Sequence, residues 1–126
     1  MKTLLIMYCI ILSSYSYANN KNDSHNLTTI NLRSTQQTFS IALAANLTTG
    51  YIWTLKSYDP KYIKFLTSRY VPTNPQLIGS GGTTIFNFMI KHQIILPQQT
   101  LIRFVYARPW LHGVGSVKTV VINFAP

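Results

Sequence analysis

The side chains that could do acid–base, nucleophilic or metal chemistry are few and badly spaced. Asp23 and Asp59 are the only acidic residues of the chain, and Glu is absent. A glycosidase-type carboxylate pair would have to use both, and Asp23 lies in a polar N-terminal stretch. His25, His92 and His112 have no HxH or HxxxH spacing, whereas a zinc site needs about three ligands. Cys9 is the single cysteine and sits inside an apolar N-terminal run, so the chain beyond it can form no disulfide and no thiolate metal site. A Ser/His/Asp set can be written on paper, but no nucleophile motif supports it. These residues imply no enzyme, no metal site and no cofactor.

Three other stretches carry more. They are Asn46-Leu47-Thr48-Thr49-Gly50-Tyr51-Ile52-Trp53, Gly79-Ser80-Gly81-Gly82 and Arg108-Pro109-Trp110. Each is short, rich in Gly, Pro or Thr, and weakly charged. Bare backbone and stiff aromatics on loops make contact surfaces. The glycines at 79, 81 and 82 resemble a phosphate loop only superficially, because no Lys-Ser/Thr follows and no helix starts there. Taken singly, each stretch could equally be an ordinary turn.

The elements that must position these loops read as strands. Gln37 to Ala45 alternates Phe39, Ile41 and Leu43 against polar or small neighbours. Tyr51 to Tyr58 alternates Tyr51, Trp53 and Leu55; Thr84 to Ile90 alternates Thr84, Phe86, Phe88 and Ile90. Leu101 to Ala107 sets Ile102, Phe104 and Tyr106 against Leu101, Arg103 and Val105; Lys118 to Phe124 alternates Val120, Ile122 and Phe124. A period of two with β-branched and aromatic residues is the mark of a strand. No window sustains a helical stripe, and Asp59 to Thr67 could hold one helical turn at most. Seven or eight short strands in a chain of this size predict a two-sheet sandwich. The alternation places Trp53 in the core, so neither it nor Tyr51 is expected to be a contact residue.

The N-terminus reads as a targeting segment. Lys2 precedes the apolar run Leu4 to Leu12, and Ser16-Tyr17-Ala18 fits the small-x-small pattern of a signal peptidase site. The run is about nine residues, well short of the roughly 20 that span a bilayer. The expected organisation is a signal peptide over 1–18, a flexible leader over 19–26 and one domain over 27–126, with a secreted or periplasmic location. Removing 18 of 126 residues leaves about 108, enough for one core without staples. A hydrophobic content of 47% is adequate for it.

The net charge is +9, from 11 Lys and Arg against 2 acidic residues. The basic residues are scattered. Their densest group is Lys56, Lys61 and Lys64, interleaved with Tyr58, Tyr62 and Phe65, a weak likeness to a nucleic-acid surface. A solvated basic face is the simpler reading, with no nucleic-acid partner and no membrane contact after signal cleavage. Asn22-Asp23-Ser24, Asn26-Leu27-Thr28 and Asn46-Leu47-Thr48 match the N-glycosylation sequon, which acts only in a eukaryotic secretory pathway.

The three loop motifs, in this order and at these separations, resemble the chagasin family of cysteine-peptidase inhibitors. That pattern is Asn-Pro-Thr-Thr-Gly-aromatic-x-Trp, then Gly-x-Gly-Gly before an aromatic strand, then Arg-Pro-Trp. The likeness spans roughly Leu27 to Phe124. Two residues depart from it: Leu47 replaces Pro, at a cost in loop rigidity, and Leu111 follows Trp110 where a polar or acidic residue is common. The resemblance implies an immunoglobulin-like β-sandwich with the three loops at one end. They would enter the cleft of a papain-like cysteine peptidase as a reversible, non-covalent wedge, from a chain that is monomeric when free. The contact residues it implies are Asn46, Leu47, Thr48, Thr49, Gly50, Gly79, Ser80, Gly81, Gly82, Arg108, Pro109 and Trp110. Thr48, Thr49 and Gly50 are slim enough to approach a catalytic Cys–His pair. The glycines offer bare backbone to a substrate-binding strand. Trp110 is an anchor with little rotamer freedom, Arg108 a hydrogen-bond donor and Pro109 a stiffener. The alternative from another class is a secreted carbohydrate-binding or adhesin-like sandwich, in which exposed Tyr and Trp stack on sugars.

Export is expected to follow cleavage after Ala18. The intact mass of protein recovered from its native host should then correspond to a chain starting at Asn19. A retained Met1–Ala18 segment would instead make it an anchor.

Overall fold

A computed structural model describes residues 26–112 and 115–125. The segment expected to be a signal peptide lies outside the described residues, as does the leader up to His25. The chain forms seven strands: β1 (Leu27–Arg33), β2 (Thr38–Ala45), β3 (Ile52–Ser57), β4 (Ile63–Pro72), β5 (Gly82–Ile90), β6 (Gln99–Ala107) and β7 (Ser116–Ala125). They make two sheets, one ordered β1-β7-β6-β3 and the other β2-β5-β4. Every pairing is antiparallel except β1 with β7. This is the immunoglobulin-like sandwich, with strand content of 60% and no α-helix among the described residues. No described helix is long and apolar enough to cross a membrane.

The period-two pattern explains the core. Phe39, Ile41 and Leu43 of β2, Phe86, Phe88 and Ile90 of β5, Ile102 and Phe104 of β6, and Val120 and Ile122 of β7 are all buried. These are the inward residues of the sequence alternation. Phe104 from one sheet meets Phe86 and Phe88 from the other, with ring centroids 4.7 and 6.4 Å apart. Phe39 stacks on Phe88 at 5.2 Å. Offset and edge contacts of this kind add to the area term of burial.

Three expectations need adjusting. β4 was invisible to the alternation because its ladder with β5 shifts register between Phe65 and Thr67. The extra residue reverses which parity faces inward. Ile63 is buried and Phe65 packs on the core, whereas Tyr70 is the next half-buried position. The window Asp59 to Thr67 is therefore a turn, with Tyr62 and Ile63 N–H both donating to Asp59 O at 3.3 Å, running into a strand. β5 begins at Gly82, so the last glycine of its loop motif is already in the ladder. Trp53 is half-buried and flanks the core; the aromatic centre is Phe88 and Phe104. β3 meets the end of β6 here, where the sandwich opens to its loops, and cannot be covered from both sides.

Lys56, Lys61 and Lys64 are exposed, whereas the aromatics between them, Tyr58, Tyr62 and Phe65, pack against the core. Only part of each ring is left on the surface for a base to stack on.

Phe104→Ala should cost about 3–5 kcal/mol, the range for a fully buried aromatic. Trp53→Ala should cost about 2 kcal/mol, less than that range, because part of its surface is already wet. Paired chemical denaturation curves check the order; a larger loss at Trp53 would place it at the centre of the core after all.

Candidate functional site

The connections β2–β3, β4–β5 and β6–β7 leave the sandwich at one end. Ala45 and Pro72 both pair with Gly82, Ile52 pairs with Ala107, and Tyr106 pairs with Ser116. The three motifs singled out in the sequence are these connections.

The β2–β3 loop lies between the other two and is built around one 3-10 turn, Leu47–Thr49. Asn46 caps it: its Oδ1 accepts from Thr48 N–H at 3.1 Å and from Thr48 Oγ1 at 2.6 Å. A side-chain oxygen taking an orphan N–H is the ordinary reason for Asn at such a position. Gly50 closes the turn with φ 81°, donating its N–H to Leu47 O at 3.0 Å. Thr49 Oγ1 donates to Asn46 O at 2.6 Å. Rigidity that proline would bring at position 47 is here supplied by these bonds.

Beneath this loop stands Tyr106 of β6. Its hydroxyl accepts the Asn46 N–H at 3.1 Å. Its ring stacks on Trp53 at 4.7 Å and lies 5.3 Å from Tyr51. The Trp53 indole N–H in turn donates to Ala44 O at 2.9 Å. Trp53 and Tyr106 are direct cross-strand partners, so the β3–β6 register sets this stack.

Each outer loop is tied to the middle one. On one side Asn46 Nδ2 donates to Gly79 O at 3.3 Å. On the other, Arg108 Nε donates to Thr49 O at 3.0 Å, and its guanidinium lies 4.7 Å from the centre of the Tyr51 ring. Trp110 lies over Gly50: a β-carbon on that glycine would sit 2.6 Å from Trp110 Cη2. Trp110 nevertheless remains 64% exposed.

The β4–β5 loop is folded on itself. Asn74 O accepts Leu77 N–H at 3.1 Å and Ser80 Oγ at 3.2 Å, and Asn74 Oδ1 accepts Gln76 N–H at 3.0 Å. Gly79 and Gly81 have φ 85° and 81°, a region that disfavours a β-carbon. Gly82 differs. Its bareness is needed inside the fold, where a β-carbon would come within 2.4 Å of Val71 O and 2.6 Å of the Tyr70 hydroxyl. Between this loop and the middle one runs a groove of about 220 Å³, floored by Tyr70 and Pro72.

The structure therefore brings all twelve expected residues to one edge. It adds some that the sequence reading passed over. Tyr51 and Tyr106 position the middle loop, and the pairing that reveals this is not readable from either strand alone. Leu77 and Ile78 form an apolar tip, with Ile78 99% exposed; an apolar pair directly before a glycine loop was the available signal. The edge carries one charged side chain, Arg108, across residues 46–51, 73–82 and 108–112. Among the described residues no group of three or more His, Cys, Asp or Glu could hold a metal ion.

A family model described as chagasin family peptidase inhibitor I42 matches residues 32–124. The chain belongs to this family. It is thus an inhibitor and not an enzyme, which decides against the sugar-binding alternative. Solved structures agree on the fold. The cysteine protease inhibitor EhICP2 from Entamoeba histolytica is 19% identical, with a TM-score of 0.58, covering 82% of this chain and 91% of that one. Amebosin is 27% identical, with a TM-score of 0.57, covering 82% and 93%. A search of curated proteins finds no significant match.

Gly50→Ala in this chagasin-family chain should strain a left-handed backbone by about 1–2 kcal/mol and push Trp110 off the loop. In a Trp53→Phe background the Trp110 emission should shift and the melting temperature should fall. If neither moves, Trp110 does not rest on Gly50.

Proposed function

We propose that this protein is a reversible, non-covalent inhibitor of papain-like cysteine peptidases, which it blocks by seating its three tied loops across the active-site cleft. The observation that carries the proposal is the joining of the loops into one edge. Gly79 is bonded to Asn46, Thr49 to Arg108, and Gly50 underlies Trp110. An edge fixed before binding loses little conformational entropy on docking. Loops that were free to move separately would lose more.

The chemistry of the edge fits such a cleft. The middle loop is slim, with Thr48 and Thr49 exposed on it and Gly50 under Trp110, and it presents a tight turn where a substrate would present an extended peptide bond. Its central carbonyl, Thr49 O, is already engaged by Arg108. Leu47, Ile78 and Trp110 supply exposed apolar surface, the material of interface anchors. With one cation at the edge and a net charge of +9 over the whole chain, electrostatics acts mainly on the encounter rate and little on the contact itself. The free inhibitor acts as a monomer, exported by its N-terminal segment to meet its target in the periplasm or outside the cell. Membership of a peptidase-inhibitor family supports this reading.

Titration of the purified chain against a panel of papain-like enzymes should give competitive, near-stoichiometric inhibition without cleavage of the chain. Trp110→Ala should lose about 2 kcal/mol or more, because a buried indole removes about 150–250 Å² from water. That is roughly thirtyfold in inhibition constant. Thr49→Ala should lose about 1 kcal/mol. Neither variant should unfold the domain. Time-dependent covalent inactivation, loop cleavage, or no inhibition across the panel would sink the proposal.

A further inference from the structure

We propose that, on a eukaryotic secretory route, Asn46 is an acceptor for N-linked glycosylation, and that a glycan there and a bound peptidase exclude one another; the exclusion rests on the function proposed above, the acceptor does not. Asn46-Leu47-Thr48 is an Asn-x-Thr triplet whose middle residue is not proline. Proline at position 47 would close the triplet to the modifying enzyme, so Leu47 is the residue that opens it.

The triplet lies on the solvent side of the middle loop. Leu47 and Thr48 are exposed and Asn46 is half-buried. The Thr48 hydroxyl donates to Asn46 Oδ1 at 2.6 Å, which draws density from Nδ2 and makes its N–H the more readily lost proton. Nδ2 makes one hydrogen bond among the described residues, to Gly79 O at 3.3 Å, and has a second hydrogen to give. The co-reactant is an oligosaccharide carried on a polyprenyl diphosphate, presented by a transferase of the eukaryotic secretory route. Nδ2 attacks C1 of the first sugar, and the bond from C1 to the diphosphate oxygen breaks. The electron pair leaves with the diphosphate, and one Nδ2 proton passes to a base on the transferase. The product is an N–C1 bond.

Position makes the modification consequential. Asn46 caps the middle loop and bonds to the β4–β5 loop, so a sugar chain on Nδ2 leaves the edge between these two loops. A branched polar chain there holds the edge away from any cleft the loops could enter. By contrast, Asn26-Leu27-Thr28 lies at the start of β1, outside the three loops.

The test uses the full chain with Asn22→Gln and Asn26→Gln, which leaves Asn46 as its one sequon. It is secreted from cultured eukaryotic cells and compared with the same chain made in bacterial cytoplasm. Intact mass and endoglycosidase sensitivity read occupancy, and titration against papain reads binding. The expected result is glycan mass on the secreted chain, absent when Leu47→Pro is added. Inhibition by the glycosylated chain should be at least about a hundredfold weaker than by the bacterial one, the size of losing a dominant interface contact. A secreted chain without glycan, when a chain retaining Asn26 is glycosylated in the same cells, overturns the acceptor. A glycosylated chain that inhibits papain as tightly as the bacterial one overturns the exclusion. A bacterial chain that inhibits no papain-like enzyme removes the function proposed above and the exclusion with it, while the mass still decides the acceptor.

Discussion

The stacking of Tyr106 against Trp53, at 4.7 Å across the β3–β6 ladder, is the contact on which the three-loop edge depends. It puts the Tyr106 hydroxyl under the Asn46 N–H and the Tyr106 ring beside Tyr51, which in turn carries the Arg108 guanidinium. One aromatic on a strand thereby sets the height and tilt of the middle loop, and the outer loops are hung from that loop. Loops are usually the parts of a sandwich that open most readily. Here each is bonded either to another loop or to a strand residue close to the core.

Two kinds of constraint meet at this edge. Below it, packing is dense and dictated by volume, with Phe86, Phe88 and Phe104 from opposite sheets in mutual contact. Above it, conformation is dictated by missing side chains. Gly50, Gly79 and Gly81 hold positive φ, and Gly50 also leaves room for Trp110. Gly82 belongs to the lower regime although it sits in the same motif, because Tyr70 and Val71 occupy the space its side chain would need. Residues adjacent in one motif therefore answer to different physical demands.

The departure at Leu47 shows how the loop tolerates substitution. Position 47 is the first residue of a 3-10 turn, where proline is favoured because its fixed φ suits the turn and its missing N–H is an orphan in any case. Leucine gives up that preorganisation. The Asn46 cap, the Gly50 closure and the bonds to Gly79 and Arg108 hold the turn without it.

What the sequence by itself determined is the fold class, the inward faces of β2, β5, β6 and β7, and the identity of the three loop motifs. Those follow from a side-chain period of two and from residue types with strong local preferences, both of which are local properties. β4 was not legible because a bulge after Phe65 reverses the parity that an alternation reading relies on. β1 was not singled out because Leu32 is its one buried residue, too little for an alternation. Only the tertiary structure decided that Trp53 flanks the core, that Tyr106 is the support of the middle loop and that Trp110 rests on Gly50. Each of these is a contact between residues far apart in the chain, fixed by strand register and by the meeting of two sheets, and register is a property of pairs that neither strand carries alone.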